Sequence, residues 1–272
     1  MSWFRSWKQT TTYEYVDVWP FHVHNACEIL LVRNGCSRFQ MGNREFLLRK
    51  DHLVIVPPLE AHAFTPVDIP YTRIGMNVDC GALGARGIPP ILVAGLMNRA
   101  AEAVCVFDLS GNHVLIQLLE EIHKEYSSDE PSKYEMIALH LHNLLLRLYR
   151  LYPDHFHEPV RDEEMEKARS RIEQDIKGFT SVKCLAEECF LTESHFIVRF
   201  KRYTGFTPYQ YRILCQISLA RQLLMDEKIT LHEVADRCGF SDLNSFVRRF
   251  RQVTKKTPGK YREMASHGVF GK

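Results

Sequence analysis

The feature that most constrains this chain is a phrase it carries twice. Phe200 to Arg212 read FKRYTGFTPYQYR, and Phe250 to Arg262 read FRQVTKKTPGKYR, fifty positions further on. The likeness extends upstream: Val182, Leu185, Ala186 and Cys189 have counterparts in Leu231, Val234, Ala235 and Cys238. Both sets are spaced i, i+3, i+4, i+7, the pattern of one apolar helix face. Each copy therefore predicts a short helix, a tight break, a second helix and a Thr-Pro start to a third. The breaks, CFLTES and CGFSDLN, put Ser or Thr just ahead of the next helix, where a side-chain oxygen can cap free N–H groups. Thr230 with Glu233 fits the capping box, as does Thr207 with Gln210, the latter with Pro at the first helical position.

Helix, turn, helix is the shape whose second helix can enter the major groove of DNA. Phe196, Phe200 and Tyr203 make the inward face of that helix in the first copy, and Phe246, Phe250 and Val253 in the second. The side chains left to meet DNA are Thr192, Ser194, His195, Ile197, Val198, Lys201 and Arg202 in the first copy. In the second they are Asn244, Ser245, Val247, Arg248, Arg249 and Arg251. Asn and Arg match base edges, and Lys or Arg meets phosphate. Between the copies, Thr207 to Asp226 carries Ile213, Ile217, Ala220 and Leu224 on one face and reads as a single helix. Twenty residues span about 30 Å. That is close to the roughly 34 Å between successive turns of the groove, so one monomer could present both recognition helices to one side of a duplex. Charge follows the repeat: residues 161–272 hold 21 Lys/Arg against 15 Asp/Glu, whereas residues 1–110 hold 10 of each. The competing account is a duplicated helical bundle whose charges are merely solvated.

At 272 residues the chain predicts two domains. The first hundred residues are β-rich: CEILLVRNG, SRFQMGNREFLL, HLVIVPP and YTRIGMNV are short runs broken by turns, MGN marking a hairpin. Helices follow at HVLIQLLEEIHKEY and from about Lys133, with Ser132 or Asp129 as the cap of the latter. In that helix Tyr134, Ile137, Leu141, Leu144, Leu148 and Leu151 form a short heptad seam, and Leu139 and Leu146 lie off it. The extra apolar face points to a homodimer contact or to burial inside the domain. YPDHFHEPVRDEE reads as a linker. The N-terminal stretch has no apolar run of signal-peptide length, and no apolar run is long enough for a membrane span. Eight scattered cysteines, with no CxxC, read as reduced thiols, and the chain as cytoplasmic.

A second constellation lies in FHVHNACEILLVRNG. His22 and His24 share a strand face, Glu28 follows, and His62 comes after PPLEA. The spacing H-x-H-x3-E-x6-G, with a later His, matches the cupin signature, although TTTYEYVDVWPF lacks the expected glycine ahead of the first His. Such groups could hold a divalent metal. The reading adopted is that His22, His24, Glu28, Arg38 and His62 shape the polar side of an effector pocket, with no metal and no cofactor.

On RFKRYTGFTPYQYR and GFSDLNSFVRRFRQVTKKTPGKYR the C-terminal part resembles the DNA-binding domain of the AraC/XylS family of bacterial transcription regulators. On HVHNACEILLVRNG and HLVIVPPLEAHAF the N-terminal part resembles that family's cupin-like effector domain. The resemblance implies a small-molecule effector in the barrel, dimerising helices next to it, an activating double helix-turn-helix, RNA polymerase as a further partner, and no catalysis. Relatives usually have Arg where Val198 stands. Arg199, one residue on, is rotated by about 100°. The second copy keeps the family arginine as Arg248.

The expectation is therefore an α+β chain of two domains. Residues 1–110 form a cupin-like β-barrel, 111–160 a helical dimerisation and linker segment, and 161–272 an all-α domain with helix-turn-helix motifs at 181–205 and 230–255. It is read as an effector-responsive activator that binds double-stranded operator DNA and is not an enzyme. A metal-dependent cupin enzyme and a regulator without effector are the alternatives.

Overall fold

The computed structural model describes residues 3–6, 10–12, 21–42, 44–97, 106–156, 162–177 and 180–266. Asn43 of the expected hairpin, residues 13–20 and residues 157–161 of the expected linker lie outside them. By its contacts the chain divides into two compact units: Met1–Trp19 with Ala26–Pro159, and Pro20–Asn25 with Val160–Lys272.

The first unit is a curled, seven-stranded antiparallel sheet followed by helices. Its strands are β1 (Phe4–Ser6), β2 (Thr10–Thr12), β3 (Cys27–Met41), β4 (Arg44–Leu48), β5 (His52–Val56), β6 (His62–Val78) and β7 (Val106–Asp108). Two of the expected short strands are one: CEILLVRNG and SRFQM run on as β3, which pairs with β6 along its whole length. The register shifts between Val32 and Ser37. There Gly35 has φ +71°, and a Cβ on it would lie 2.6 Å from the Asp68 carbonyl oxygen and 2.7 Å from that of Pro70. An irregularity of this kind bends a long strand without ending it. A glycine that looked like a stop is thus a bend. The expected hairpin is present: Met41 pairs with Arg44, and Gly42 between them has φ +58°.

Strand alternation gives the sheet two buried faces. Cys27, Ile29, Leu31, Leu53, Ile55, Ile74 and Met76 join a core with the helices. Those helices are α1 (Cys80–Leu83), α2 (Pro90–Leu96), α3 (His113–Tyr126) and α4 (Lys133–Leu151). The seam assigned to α4 belongs to this core: Ile137, Leu141, Leu144 and Leu148 are fully buried in it. The apolar side chains α4 leaves outside are Met136, Leu139, Leu146 and Leu151. Neither expected residue caps α4: Ser132 holds the N-cap position with φ +59° and makes no side-chain cap.

The second unit holds α5 (Glu163–Gln174), α6 (Val182–Glu188), α7 (Glu193–Thr204), α8 (Pro208–Leu224), α9 (Leu231–Arg237), α10 (Leu243–Thr254) and α11 (Pro258–Ser266). The repeated sequence repeats in space. Phe196 and Phe200 of α7 are fully buried, as are Phe246 and Phe250 of α10. Thr204 and Thr254 each donate to the carbonyl four residues back, those of Phe200 and Phe250, at 2.9 and 2.8 Å. Arg212 donates to the Thr180 carbonyl just before α6, and Arg262 to the Ile229 carbonyl just before α9, both at 2.7 Å. The repeated phrase is thus a set of ties closing each helix-turn-helix. Both capping boxes form. The cap of α10 is Asp242 rather than Ser241, whose hydroxyl donates to the Asp242 carboxylate. The linking helix α8 has 17 residues. At the usual rise it spans about 25 Å, shorter than the sequence suggested. The segment Pro20–Asn25 packs with this unit: the Asn25 N–H donates to Ser218 Oγ at 3.2 Å, and Arg221 donates to the Val23 carbonyl.

The seven cysteines among the described residues are all free. Cys189 and Cys238 are buried, and burial pushes the Cys238 thiol up to about 12. No helix among the described residues is long and apolar enough to cross a membrane.

Candidate nucleic-acid interface and effector site

Each recognition helix begins at a cap that frees its outer face. Thr192 Oγ1 accepts the His195 N–H at 3.4 Å, and Asp242 accepts the Ser245 N–H at 2.8 Å. Ser194, His195, Val198, Lys201 and Arg202 of α7 are exposed, and Ile197 is half-buried. On α10, Asn244, Arg248 and Arg251 are exposed, and Ser245 and Val247 are half-buried. The Ser245 hydroxyl also donates to Asp242 at 2.8 Å, so this side chain is tied to the cap. Hydrogen bonds from Ser245 and Ser241 hold the Asp242 carboxyl below its ordinary range.

Two groups of cations in this unit behave differently. Arg169 is tied to Glu166 and Glu173, at 2.5 and 2.6 Å. Arg199 makes two hydrogen bonds to Asp162, at 2.7 and 2.9 Å, and a third contact to Glu164 at 2.6 Å. One step of rotation along the helix has turned it away from the outer face and onto the start of α5. Its counterpart Arg249 does the same in the second copy, donating to Tyr209 Oη at the start of α8 at 2.9 Å. The sequence turned Arg199 away from the reading face but left Arg249 among the outward side chains, and the structure corrects the latter. The second group is Lys201, Arg202, Arg248 and Arg251. None of these meets a carboxylate within ion-pair distance among the described residues. Solvent-facing cations on both recognition helices are what phosphate and base-edge contact requires.

The histidine constellation comes together: one ligand atom from each of His22, His24, Glu28 and His62 lies within 4.8 Å of the others. Glu28 and His62 lie on neighbouring strands of the curled sheet, both fully buried. His22 and His24 sit in the segment that packs with the second unit, their rings 5.8 Å apart. Arg38 is exposed and pairs with Glu45 at 3.2 Å, so it does not face the interior. The interior instead holds residues not expected there, Tyr71 and Arg73, which share a face of β6 with a period of two. His62 Nδ1 lies 2.8 Å from the Glu60 carbonyl, and Nε2 lies 2.9 Å from Glu28 Oε2. A ring that donates from Nδ1 needs one further proton on the Nε2–Oε2 line, and the pair is then neutral wherever that proton sits. The Arg73 guanidinium, 5% exposed, lies over the Phe64 ring at 4.8 Å. Burial pulls its ionisation down, while Tyr71 and Glu28 push it back up. Burial also raises the Tyr71 hydroxyl. These residues were missed because a lone Tyr and Arg in a strand carry no spacing signal.

A curled antiparallel sheet joined to a duplicated helix-turn-helix defines a two-part DNA-binding regulator. Residues 9–145 match the model of the AraC-like ligand binding domain, and residues 185–264 match a helix-turn-helix domain. The chain belongs to the AraC/XylS family of transcription regulators. It is 33% identical over 196 residues to the probable transcriptional regulator LumQ of Photobacterium leiognathi, covering 70% of this chain and 77% of that one. It is 24% identical over 268 residues to the transcriptional activator RhaR of Salmonella dublin, covering 92% and 89%. The fold is that of ToxT from Vibrio cholerae O395, solved bound to (E)-4-(8-methylnaphthalen-1-yl)but-3-enoic acid. That match has a TM-score of 0.72 at 13% identity, over 97% of this chain and 100% of that one. ToxT from another strain is solved with an unsaturated fatty acid, at a TM-score of 0.69 and 12% identity, over 96% and 95%.

Proposed function

We propose that α7 and α10 read two half-sites of one operator, and that a small organic acid bound inside the curled sheet controls this. The observation that carries the DNA reading is the sorting of these cations. The fold neutralises those it needs, Arg169 and Arg199, and leaves Lys201, Arg202, Arg248 and Arg251 on the recognition faces without acidic partners among the described residues. The second helix presents Asn244 and Arg248 for directional contacts with adenine and guanine. The first presents Ile197 and Val198, which can touch a thymine methyl but cannot fork a guanine, so Lys201, Arg202 and the start of α7 at Thr192 hold phosphates. Selection of binding sites from random duplexes by the full chain tests this. Two unequal half-sites, the more informative one containing guanine, are expected. Recovery of no preferred sequence would overturn it.

The effector class follows from charge. With Glu28 and His62 neutral as a pair, the buried set of Glu28, His62, Tyr71 and Arg73 carries the charge of Arg73. A carboxylate complements it, and the two ToxT ligands are carboxylic acids. An aliphatic or aryl acid should raise the melting temperature of wild-type protein and not of Arg73→Met. His22 and His24 belong to this reading, since their ligand atoms lie within 4.8 Å of those of Glu28 and His62. The protein is proposed to act in the cytoplasm, without catalysis, as an activator that engages RNA polymerase. It is also proposed to act as a homodimer through the outer face of α4, with Met136, Leu139 and Leu146 at the contact rather than the buried seam.

A further inference from the structure

Three imidazoles and a carboxylate lie closer together than the fold itself requires. His22, His24, Glu28 and His62 each put one donor atom within 4.8 Å of the others. Glu28 and His62 are fully buried, His22 is 7% exposed and His24 is half-buried. Two routes gather them. Glu28, near the start of β3, pairs with Val56 at the end of β5, and residues 57–61 return the chain to His62 at the start of β6. His22 and His24 flank the fully buried Val23, and their rings lie 5.8 Å apart. Alternation along the chain puts both rings on one side and Val23 on the other.

Packing alone is a poor reason for such a group, because burial penalises every ionisable side chain in it. Glu28 and His62 answer for one another, with Nε2 2.9 Å from Oε2. That pair does not require two further imidazoles beside it. Three nitrogens and one carboxylate oxygen are, however, the donors that a divalent first-row transition ion takes, in preference to Mg2+ or Ca2+, which favour oxygen alone. Bonds of about 2.0–2.2 Å set ligand atoms roughly 3–4 Å apart, so small side-chain movements close this group on an ion. His62 is already prepared as a ligand: its Nδ1 lies 2.8 Å from the Glu60 carbonyl. A ligating imidazole typically donates its other N–H to such an oxygen, which fixes the tautomer and aims Nε2 at the metal. Phe39 and Phe64 flank the ring, with centroids 6.4 and 5.7 Å away, and an apolar layer of this kind restricts water at an ion. Arg73 opposes a cation, and the Glu28 carboxylate acts on it from the same group. Ion, Glu28 and Arg73 together leave the pocket positive, so a carboxylic acid still complements it.

We propose that His22, His24, Glu28 and His62 bind one divalent first-row transition ion, with His62 Nε2 and a Glu28 carboxylate oxygen among its ligands. The ion takes the place of the proton that Glu28 and His62 share. This replaces the expectation that these residues bind no metal, and it does not rest on the identity of the effector.

Cobalt is the probe, because Co2+ reports its ligands by visible absorption. Full-length protein is stripped with chelator, dialysed, and titrated with Co2+ by absorption and calorimetry. Wild type should take up one ion per chain, with bands of nitrogen and oxygen ligation. Co2+ should also raise its melting temperature where Mg2+ does not. His24→Ala alters the half-buried member of the group, and Glu28→Gln keeps the shape of the buried one. Each should bind Co2+ at least about tenfold more weakly and shift the bands. His232→Ala, at an exposed position on α9, should bind as wild type does. Melting in chelator checks that each variant is folded, and His22→Gln stands in for one that is not. Wild type that takes up no ion overturns the proposal. So does uptake that either substitution leaves unweakened, which would put the ion at other side chains, or thiolate-to-cobalt absorption, which would put it at a cysteine. Addition of the acid to chelated wild type tests the effector reading separately, so the two can fail independently.

Discussion

The two helix-turn-helix copies agree wherever the fold is at stake and part wherever the surface is. Phe200 packs edge-on against Tyr211, and Phe250 against Tyr261, with centroids 5.6 and 5.3 Å apart. Thr204 and Thr254, then Arg212 and Arg262, close equivalent turns. Outside this frame the pairs differ in kind: Val198 against Arg248, Phe190 against Gly239, Gly205 against Lys255. The last two pairs both occupy left-handed backbone, where each copy has one glycine and one larger residue. Duplication has therefore conserved the ties that shape a motif and released the side chains that meet something else.

The comparison breaks most visibly in the core. Phe200→Ala and Phe250→Ala should each cost about 3–5 kcal/mol, because each empties a fully buried site. Urea unfolding of the full chain, followed by a probe in the second unit, should give similar losses for both. A loss several times larger in one copy would mean that the frames are not equivalent. The turns come next and should respond in opposite directions. Gly239→Ala adds a Cβ 2.4 Å from Lys177 Cα at φ +79° and should destabilise by about 1–3 kcal/mol. Phe190→Gly should instead stabilise, by up to about 1 kcal/mol.

On the outer faces the comparison becomes one of specificity. Arg248→Ala should cost about 1–3 kcal/mol of operator binding and relax the preference at one base pair. Val198→Arg, at a position 69% exposed on α7, should add a guanine preference to the other half-site. A base-substitution scan with both variants measures this. If neither changes any preference, α7 and α10 do not lie in the grooves as proposed.

What could be read without coordinates followed the range of each interaction. Caps and buried helix faces depend on residues within four positions, and the repeat displayed both twice. The single added residue before α10 misled, because it moved the cap from Ser241 to Asp242. Longer ties left no trace. Arg199 finds Asp162 37 positions upstream, and the seam of α4 is consumed by α2, α3 and the sheet. In the sheet, Gly35 looked like a terminator because its partners, Asp68 and Pro70, are more than thirty residues away. The histidine spacing located Glu28 and His62 and missed Tyr71 and Arg73, whose place depends on a strand pairing that spacing cannot show.

The smallest expected effect separates positioning from reading. Lys201 and Arg202 are exposed on the last turn of α7, and the first copy has no Arg at the position of Arg248. If phosphates supply its affinity, Lys201→Ala should weaken every duplex about equally and leave base preference unchanged. Neutralising about six phosphates gives a slope of log K against log salt near roughly −5, and losing one contact should flatten it by about one unit. The measurement is anisotropy titration at several salt concentrations on operator and on scrambled duplex. A slope that stays the same on both, with preference lost at one base pair, would make Lys201 a reader. The two copies would then differ in which residue reads, and no longer in whether the helix reads at all.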